Sequence, residues 1–522
     1  MKSGFFSFFK TTYGIVFSII VALLLFFDNI SYCCKIEFFL PNGVFFCIVL
    51  MILLAGFGFY CLVKNKKTLL KKCSTLNIDK FILVATVLLF LGQCYVFYNT
   101  FFLSGWDAGA VRNFVETIMN DGDRGNINNY FSRYPNNLFI AYLYLFIQKI
   151  NNSFGVFNGA YSYMCIVVLN CIINAFSCLL SYKTARTFVS PAFALIAYIL
   201  CIFSVGISGW TIICYSDSLA LFIPVLSVYL YCKQYKTARM KMVGFISAGF
   251  ASAIGYFIKP QCLFVLIGIL IVEVLNLVGK KSLKSLLRPI TLCLVAVIAF
   301  SVTNIGLGHL NNKYNVHIDK ERTFGYSHFL MMGANQETNG VYFQEDVDFS
   351  ASFATSEQRK EANMDVFKKR VVSMKSGFLT HLTKKMLSTF NDGTFAWALE
   401  GNFFATVPEN INNKMAPFLK SIYHIDNRFA YFATFQHLVW LFILLCSLLT
   451  VFSKKENYDQ NNLSLLWIVL LGLVLYEMLF EVRARYVYIF VPLLCTLAPI
   501  GVRNIGALVC DFLPRIKNKF KG

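Results

Sequence analysis

Residues 136–150 read NNLFIAYLYLFIQKI, and whether this run crosses a bilayer decides how every later segment is disposed. It amounts to about four helical turns, short of the ~20 residues a spanning helix needs. The charges that follow give a second test. If the run crossed, Lys183 and Arg186, the stretch from Lys233 to Lys241 and the Lys280 to Arg288 loop would all face outward. That opposes the cytoplasmic bias of Lys and Arg three times over. If the run lies at the interface, or dips in and returns, all three basic loops face the cytoplasm. We therefore read 136–150 as non-crossing.

Working outward, apolar runs lie at 11–27, 43–63, 81–103, 156–182, 188–207, 218–232, 242–258, 261–278, 288–308, 431–453, 463–480 and 486–503. With the backbone obliged to satisfy itself in lipid, these are expected to be helices. The expected fold is an all-α polytopic membrane protein of about twelve spans, with interfacial helices and a small external helical domain. Of the 522 residues, 57% are hydrophobic and only 14% charged, and Phe occurs 55 times, which excludes an ordinary soluble domain. The net charge of +20 is met by basic loops between apolar runs, so membrane topology accounts for it better than nucleic-acid binding. The basic loop 64–80 (Lys64, Lys66, Lys67, Lys71, Lys72 and Lys80), Lys454, Lys455 and the Arg515 to Lys521 tail are placed inside. Both termini are then cytoplasmic, and the first apolar run is a retained span, since no convincing cleavage site follows it. The 17 Cys are scattered without metal-ligand spacing. They read as small buried apolar residues, except Cys33 and Cys34, which fall in an expected external loop.

Three regions follow: an N-terminal membrane domain (1–308) with a first external loop (104–155), an external helical domain (309–430), and C-terminal hairpins with a basic tail (431–522). In the external domain, Ser356 is expected to cap a helix with Met364, Phe367, Val371 and Met374 on one face. Gly377 interrupts it. A second stripe of Leu379, Leu382, Met386 and Phe390 ends at the turn Asn391-Asp-Gly393.

Chemistry-bearing residues concentrate at the predicted outer ends of spans. Ser104-Gly-Trp-Asp107 places a carboxylate just beyond a span, as a general base or as a helix N-cap. Arg112 and Arg133 share that loop, and guanidinium groups suit phosphate. Pro135 suits a helix's first turn, and Asn136 and Asn137 lie at the membrane boundary, fit for sugar hydroxyls or for capping. Tyr215-Ser-Asp217 supplies a second outer carboxylate. Lys259 sits in an external hairpin, where snorkelling is the ordinary account. Glu477, Glu481, Arg483, Arg485 and Tyr486 cluster at the last hairpin, either as an ion-paired network or as a phosphate site. No phosphate-binding glycine loop, dinucleotide pattern, nucleophile elbow or metal-ligand histidine spacing is present. No cofactor is expected, and a divalent metal has no support.

Taken in chain order, these motifs resemble the C-type (GT-C) integral-membrane glycosyltransferases, nearest the branch of protein mannosyltransferases and the aminoarabinose transferase of lipid A (glycosyltransferase family 39-like). Trp106-Asp107 matches the acidic first loop, Tyr134-Pro-Asn-Asn137 the proline-led helix, Tyr215-Ser-Asp217 the second acidic site, and Glu481-x-Arg-x-Arg485-Tyr486 with Pro492 the final hairpin. His328 to Gly333, Glu345-Asp346 and Asp392 to Phe395 look like external-loop signatures of relatives in Gram-positive bacteria. Where some relatives pair two acids in the first loop, Ala108 follows Asp107 here, which counts against a tightly held metal.

The resemblance implies an enzyme of the plasma membrane, bacterial in type. It moves a sugar from a polyprenyl-phosphate donor to a glycan, lipid or protein acceptor on the outer face, with inversion. Asp107 and Asp217 are then the catalytic carboxylates. Arg112, Arg133, Asn136, Asn137, Lys259, Arg483, Arg485 and Tyr486 bind substrate or phosphate. A transporter or flippase of lipid-linked sugars, and an envelope polysaccharide polymerase or ligase, remain as alternatives. The lipid bilayer is a partner on any reading.

Overall fold

A computed structural model describes residues 2–27, 41–65, 77–280, 283–401, 403–410, 413–454 and 458–519. Cys33, Cys34, Lys66, Lys67, Lys71, Lys72, Lys455 and Lys521 lie outside the described residues. The N-terminal helices are α1 (Lys2–Phe26), α2 (Asn42–Asn65) and α3 (Ile78–Asn99). The first loop region then forms β1 (Leu103–Ser104), α4 (Trp106–Met119), α5 (Gly125–Arg133) and α6 (Leu138–Phe154). Next come α7 (Met164–Ala185), α8 (Pro191–Cys201), the short α9 (Ser216–Ala220), α10 (Phe222–Cys232), α11 (Ala238–Tyr256), α12 (Leu263–Lys280) and α13 (Leu283–Lys313). The region between α13 and α19 holds α14 (Tyr326–Gly333), α15 (Gln344–Ala351), α16 (Ser356–Met374), α17 (Phe378–Phe390), β2 (Phe404–Thr406) and α18 (Ala416–Tyr423). The chain ends in α19 (Phe429–Leu448), α20 (Gln460–Leu479) and α21 (Val491–Lys519).

The chain is thus an all-α polytopic membrane protein, and every apolar run named above is helical. Among the described residues, 8 helices are long and apolar enough to cross a bilayer, and three shorter apolar helices (42–56, 191–206, 216–232) accompany them. The count of about twelve is therefore not confirmed by length and composition. α11 falls short because Arg239, Lys241 and several Gly, Ala and Ser residues dilute it.

Contacts define two ends of the bundle. At one end Arg186 pairs with Asp79 at 3.1 Å, Asn462 reaches the Cys232 carbonyl at 3.4 Å, and Lys10 reaches the Ser453 carbonyl at 3.2 Å. This end collects Lys183, Arg186, Lys233, Lys236, Arg239, Lys241 and Lys454. At the other end Asp107, Asp217, Lys259 and Arg485 meet. α6 belongs wholly to that second end. Asn137, at its start, bonds Tyr130 and Tyr215. Asn151, near its finish, bonds the Phe157 carbonyl at 2.8 Å, and Tyr163 beyond it reaches the Arg112 carbonyl at 3.2 Å. This helix of about 25 Å therefore has both its ends at the same end of the bundle.

The 309–430 region docks on the last hairpin through its backbone. Phe329 and Gly340 carbonyls accept from the Glu481 and Val482 amides at 3.0 and 2.9 Å. Lys385 donates to the Gly333 and Phe480 carbonyls, both at 2.8 Å. His328 to Gly333 thus forms the docking helix, and Asp346 is held in a fork by Arg370 at 2.6 and 2.9 Å. The antiparallel pair β1–β2 closes the region onto the first loop.

Three local expectations are corrected. Gly105 is the N-cap residue of α4, and Asp107 stands inside the first turn. Thr355 rather than Ser356 caps α16, its hydroxyl accepting from the Gln358 amide. The buried face of α16 carries Arg359 and Asn363 ahead of Met374, and Leu379 is exposed. On α16, buried side-chain hydrogen bonds, such as Arg359 to the Ser350 carbonyl at 2.7 Å, outweigh apolar periodicity.

Lys385 gives a pH prediction. Burial depresses its ammonium to about 7, against the pull of Glu477 and Glu481. An unfolded lysine titrates near ~10.4, so between these values the unfolded state binds the extra proton and stability rises with pH. Below about 7 the full cost of charging the buried amine is felt. Thermal midpoints of detergent-solubilised protein are expected to rise from about pH 7 to pH 9 relative to a Lys385→Met variant. Parallel curves for the two proteins would remove Lys385 as the cause.

Candidate functional site

Six segments distant in sequence meet at one end: the start of α4, the α5–α6 turn, the start of α9, the α11–α12 hairpin, the turn at Trp397–Gly401 and the α20–α21 hairpin. The helix starts do the positioning. Trp106 opens α4 with a left-handed backbone, φ 41°. That conformation costs on the order of 1–3 kcal/mol for a non-glycine residue. It lays the indole against Tyr215 edge-to-face at 5.0 Å and beneath the Arg485 guanidinium at 4.7 Å.

Asp107 is half-buried and carries a directed set of partners. Tyr130 donates to Oδ1 at 2.7 Å, and Asn137 donates to Tyr130 Oη at 2.8 Å. Tyr215 Oη has two acceptors for its single proton, Asn137 Oδ1 at 3.1 Å and Asp107 Oδ2 at 3.4 Å. Burial and the Asp107 charge push the Tyr130 phenol well above its ordinary range, and it stays a donor. Tyr134 is raised for the same reasons. Asp107 has no cation in contact among the described residues.

Asp217 is different. It is 1% exposed and pairs with Lys259, itself buried, with Arg485 Nη1 at 4.0 Å. Lys259 also lies over the Tyr486 ring at 4.8 Å. Burial lowers the Lys259 ammonium, and Asp217 offsets part of this. Arg485 Nε and Arg483 Nη1 each approach Glu400 Oε2 at 3.0 Å, and Arg483 Nε bonds Glu481 at 2.7 Å. Three cations, of which Lys259 and Arg485 are buried, are thus matched by three carboxylates, as burial demands. The match is imperfect in direction: Arg485 Nε, Asp217 Oδ2 and both Glu400 oxygens lack an aligned hydrogen-bond partner. Such groups in a native site ask for an explanation.

The structure therefore unites Asp107, Asn137, Asp217, Lys259, Arg483, Arg485 and Tyr486. It sets three expected residues apart. Arg112 holds the Ser104 carbonyl at 3.0 Å and pairs with Glu116 at 3.6 Å. Arg133 sits at the junction with the 309–430 region, where its carbonyl accepts from the Phe324 amide at 3.0 Å. Asn136 is exposed, and its amide donates to Asn137 Oδ1 at 3.2 Å. Tyr130 and Glu400 are site residues that sequence reasoning missed. Tyr130 has no local signal. Glu400 was detectable in principle, because the two arginines require more negative charge than Glu481 supplies. It is delivered by the Asp392 turn, where Asp392 Oδ1 accepts from the Thr394 amide and Oδ2 from the Ala396 amide, both at 2.8 Å.

Among the described residues, no group of three or more His, Cys, Asp or Glu is placed to hold a metal ion. A family model described as a conserved hypothetical integral membrane protein matches residues 5–505 of the chain. No curated protein matches it.

Proposed function

The chain belongs to this family of integral membrane proteins, and on that premise we propose that it is a glycosyltransferase acting on a polyprenyl-phosphate sugar. One observation carries the reading: Asp107, oriented by Tyr130 and free of any cation partner among the described residues, faces a buried arginine across a single indole. An acceptor hydroxyl needs a base, and a departing lipid phosphate needs positive charge. In the proposed step the acceptor oxygen bonds to the anomeric carbon as the bond from that carbon to the phosphate oxygen breaks. Asp107 takes the hydroxyl proton, and the phosphate leaves as an anion toward Arg485 and Arg483. Asp217 holds Lys259 and Arg485 in place rather than taking a proton. The basic residues at the opposite end support an outer-facing site and cytoplasmic termini in the plasma membrane of a bacterium.

Direct displacement inverts the anomeric centre. NMR of the product is expected to show the opposite anomer from the donor, and retained configuration would contradict the single-step mechanism.

The phosphate must share the arginines with Glu400. Glu400→Gln is expected to tighten donor binding several-fold, and Arg485→Gln to weaken it about tenfold or more. Titration of purified protein with a fluorescent polyprenyl phosphate reads both. Equal affinities in the two variants would place the phosphate elsewhere.

A further inference from the structure

Away from the charged cluster, α6 and α13 enclose a groove of about 480 Å³. Its walls are Phe139, Leu143 and Phe146 from α6 and Gly306, Leu307 and Leu310 from α13. Gly306 leaves one wall open, because a Cβ built there meets nothing within 4 Å. Phe139 closes the inner end against Phe257 at 6.3 Å. The mouth is of another character. Lys149 donates to Tyr314 Oη at 2.8 Å and lies 4.6 Å from that ring, and Lys313 stands 5.5 Å from the same ring. Neither lysine pairs with a carboxylate among the described residues.

The position of the mouth matters. Lys313 ends the apolar stretch Leu286–Lys313, so both ammonium groups sit where hydrocarbon gives way to head groups. Tyr142 fixes the upper wall by donating to Asn311 at 2.7 Å. An apolar channel ending in two uncompensated cations at that depth matches one class of molecule, an acyl chain attached to a phosphate.

We propose that this groove binds one anionic phospholipid of the bilayer, its phosphate bridging Lys149 and Lys313 and one acyl chain lying between α6 and α13. A lipid seated there braces α6, whose N-cap residue Asn137 bonds Tyr130, the donor to Asp107. The assignment is independent of the glycosyl-transfer reading.

Native mass spectrometry of the purified full chain tests it, with phosphatidylglycerol and phosphatidylcholine titrated separately. Phosphatidylglycerol is expected to bind the wild type as one tight copy, about tenfold or more tighter than phosphatidylcholine. The double variant K149Q/K313Q should lose that preference, and both lysines are exposed, so folding is little affected. Gly306→Leu should exclude the lipid while keeping both charges, because the added side chain enters open space. Unchanged phosphatidylglycerol binding in K149Q/K313Q, or equal binding of the two lipids by the wild type, would overturn the proposal. So would preferential displacement of phosphatidylglycerol by polyprenyl phosphate, since the groove would then be a carrier track. Displacement by inorganic phosphate alone would show that the acyl chain contributes nothing, and would equally overturn it.

Discussion

Asp107→Asn is expected to reduce sugar transfer by a factor of about 10²–10⁴, the range over which general bases contribute. The amide keeps the shape of the side chain and still accepts the Tyr130 hydroxyl through its oxygen, so the Tyr130–Asn137–Tyr215 chain of contacts survives. What is lost is the lone pair that takes the acceptor's proton. The variant should therefore reach the membrane, elute as the wild type does and bind a polyprenyl-phosphate donor with unchanged affinity. Activity within a few-fold of the wild type would remove Asp107 from the chemistry. Loss of activity together with loss of folded protein would mean that the carboxylate is structural. A Tyr130→Phe variant separates the two roles, since it frees Asp107 Oδ1 without altering charge.

Asp217→Ala should destabilise the solubilised protein by about 3–5 kcal/mol, as expected when one member of a buried pair is removed. Lys259 is 4% exposed and would be left as an uncompensated charge beside Arg485. Removing the partner as well, in D217A/K259M, should recover most of the stability, because an apolar replacement of a buried pair is often close to neutral. Unfolding curves in detergent and denaturant read the comparison. If the double variant is no more stable than Asp217→Ala, the pair is not the source of the effect. A double variant that is stable but inactive would assign Lys259 to the substrate, whereas a stable and active one would make the pair a scaffold.

These expectations depend on how much of the site sequence alone reveals. Spacing and charge bias located the apolar helices, because these follow from the length of each run and from the distribution of Lys and Arg. They also separated the outer-end carboxylates and cations from the basic loops, and seven of those residues do converge. The division of labour between Asp107 and Asp217 was not legible. Both follow an aromatic residue at a helix start, and only the three-dimensional pairing of Asp217 with Lys259 and Arg485 distinguishes them. Glu400 was detectable only as a missing negative charge, because the turn at Asp392 that brings it to the arginines leaves no mark in the spacing. Arg112 and Arg133 looked suitable for phosphate by residue type, yet their contacts are with a loop carbonyl, a helical glutamate and the junction with the 309–430 region. The 309–430 region misled for a related reason. Apolar spacing on α16 suggested a core-facing stripe, and hydrogen bonds from Arg359 decided the face instead.

The claim that this membrane protein transfers a sugar is tested most directly by turnover. Purified protein is incubated with a panel of polyprenyl-phosphate sugars, and free polyprenyl phosphate is measured over time, with the movement of the lipid between leaflets followed in parallel in vesicles. The account predicts release of the free carrier from at least one donor by the wild type and none by Asp107→Asn, without protein-dependent lipid movement. Protein-dependent movement of an intact lipid-linked sugar, with no carrier released from any donor, would contradict it and identify a transporter.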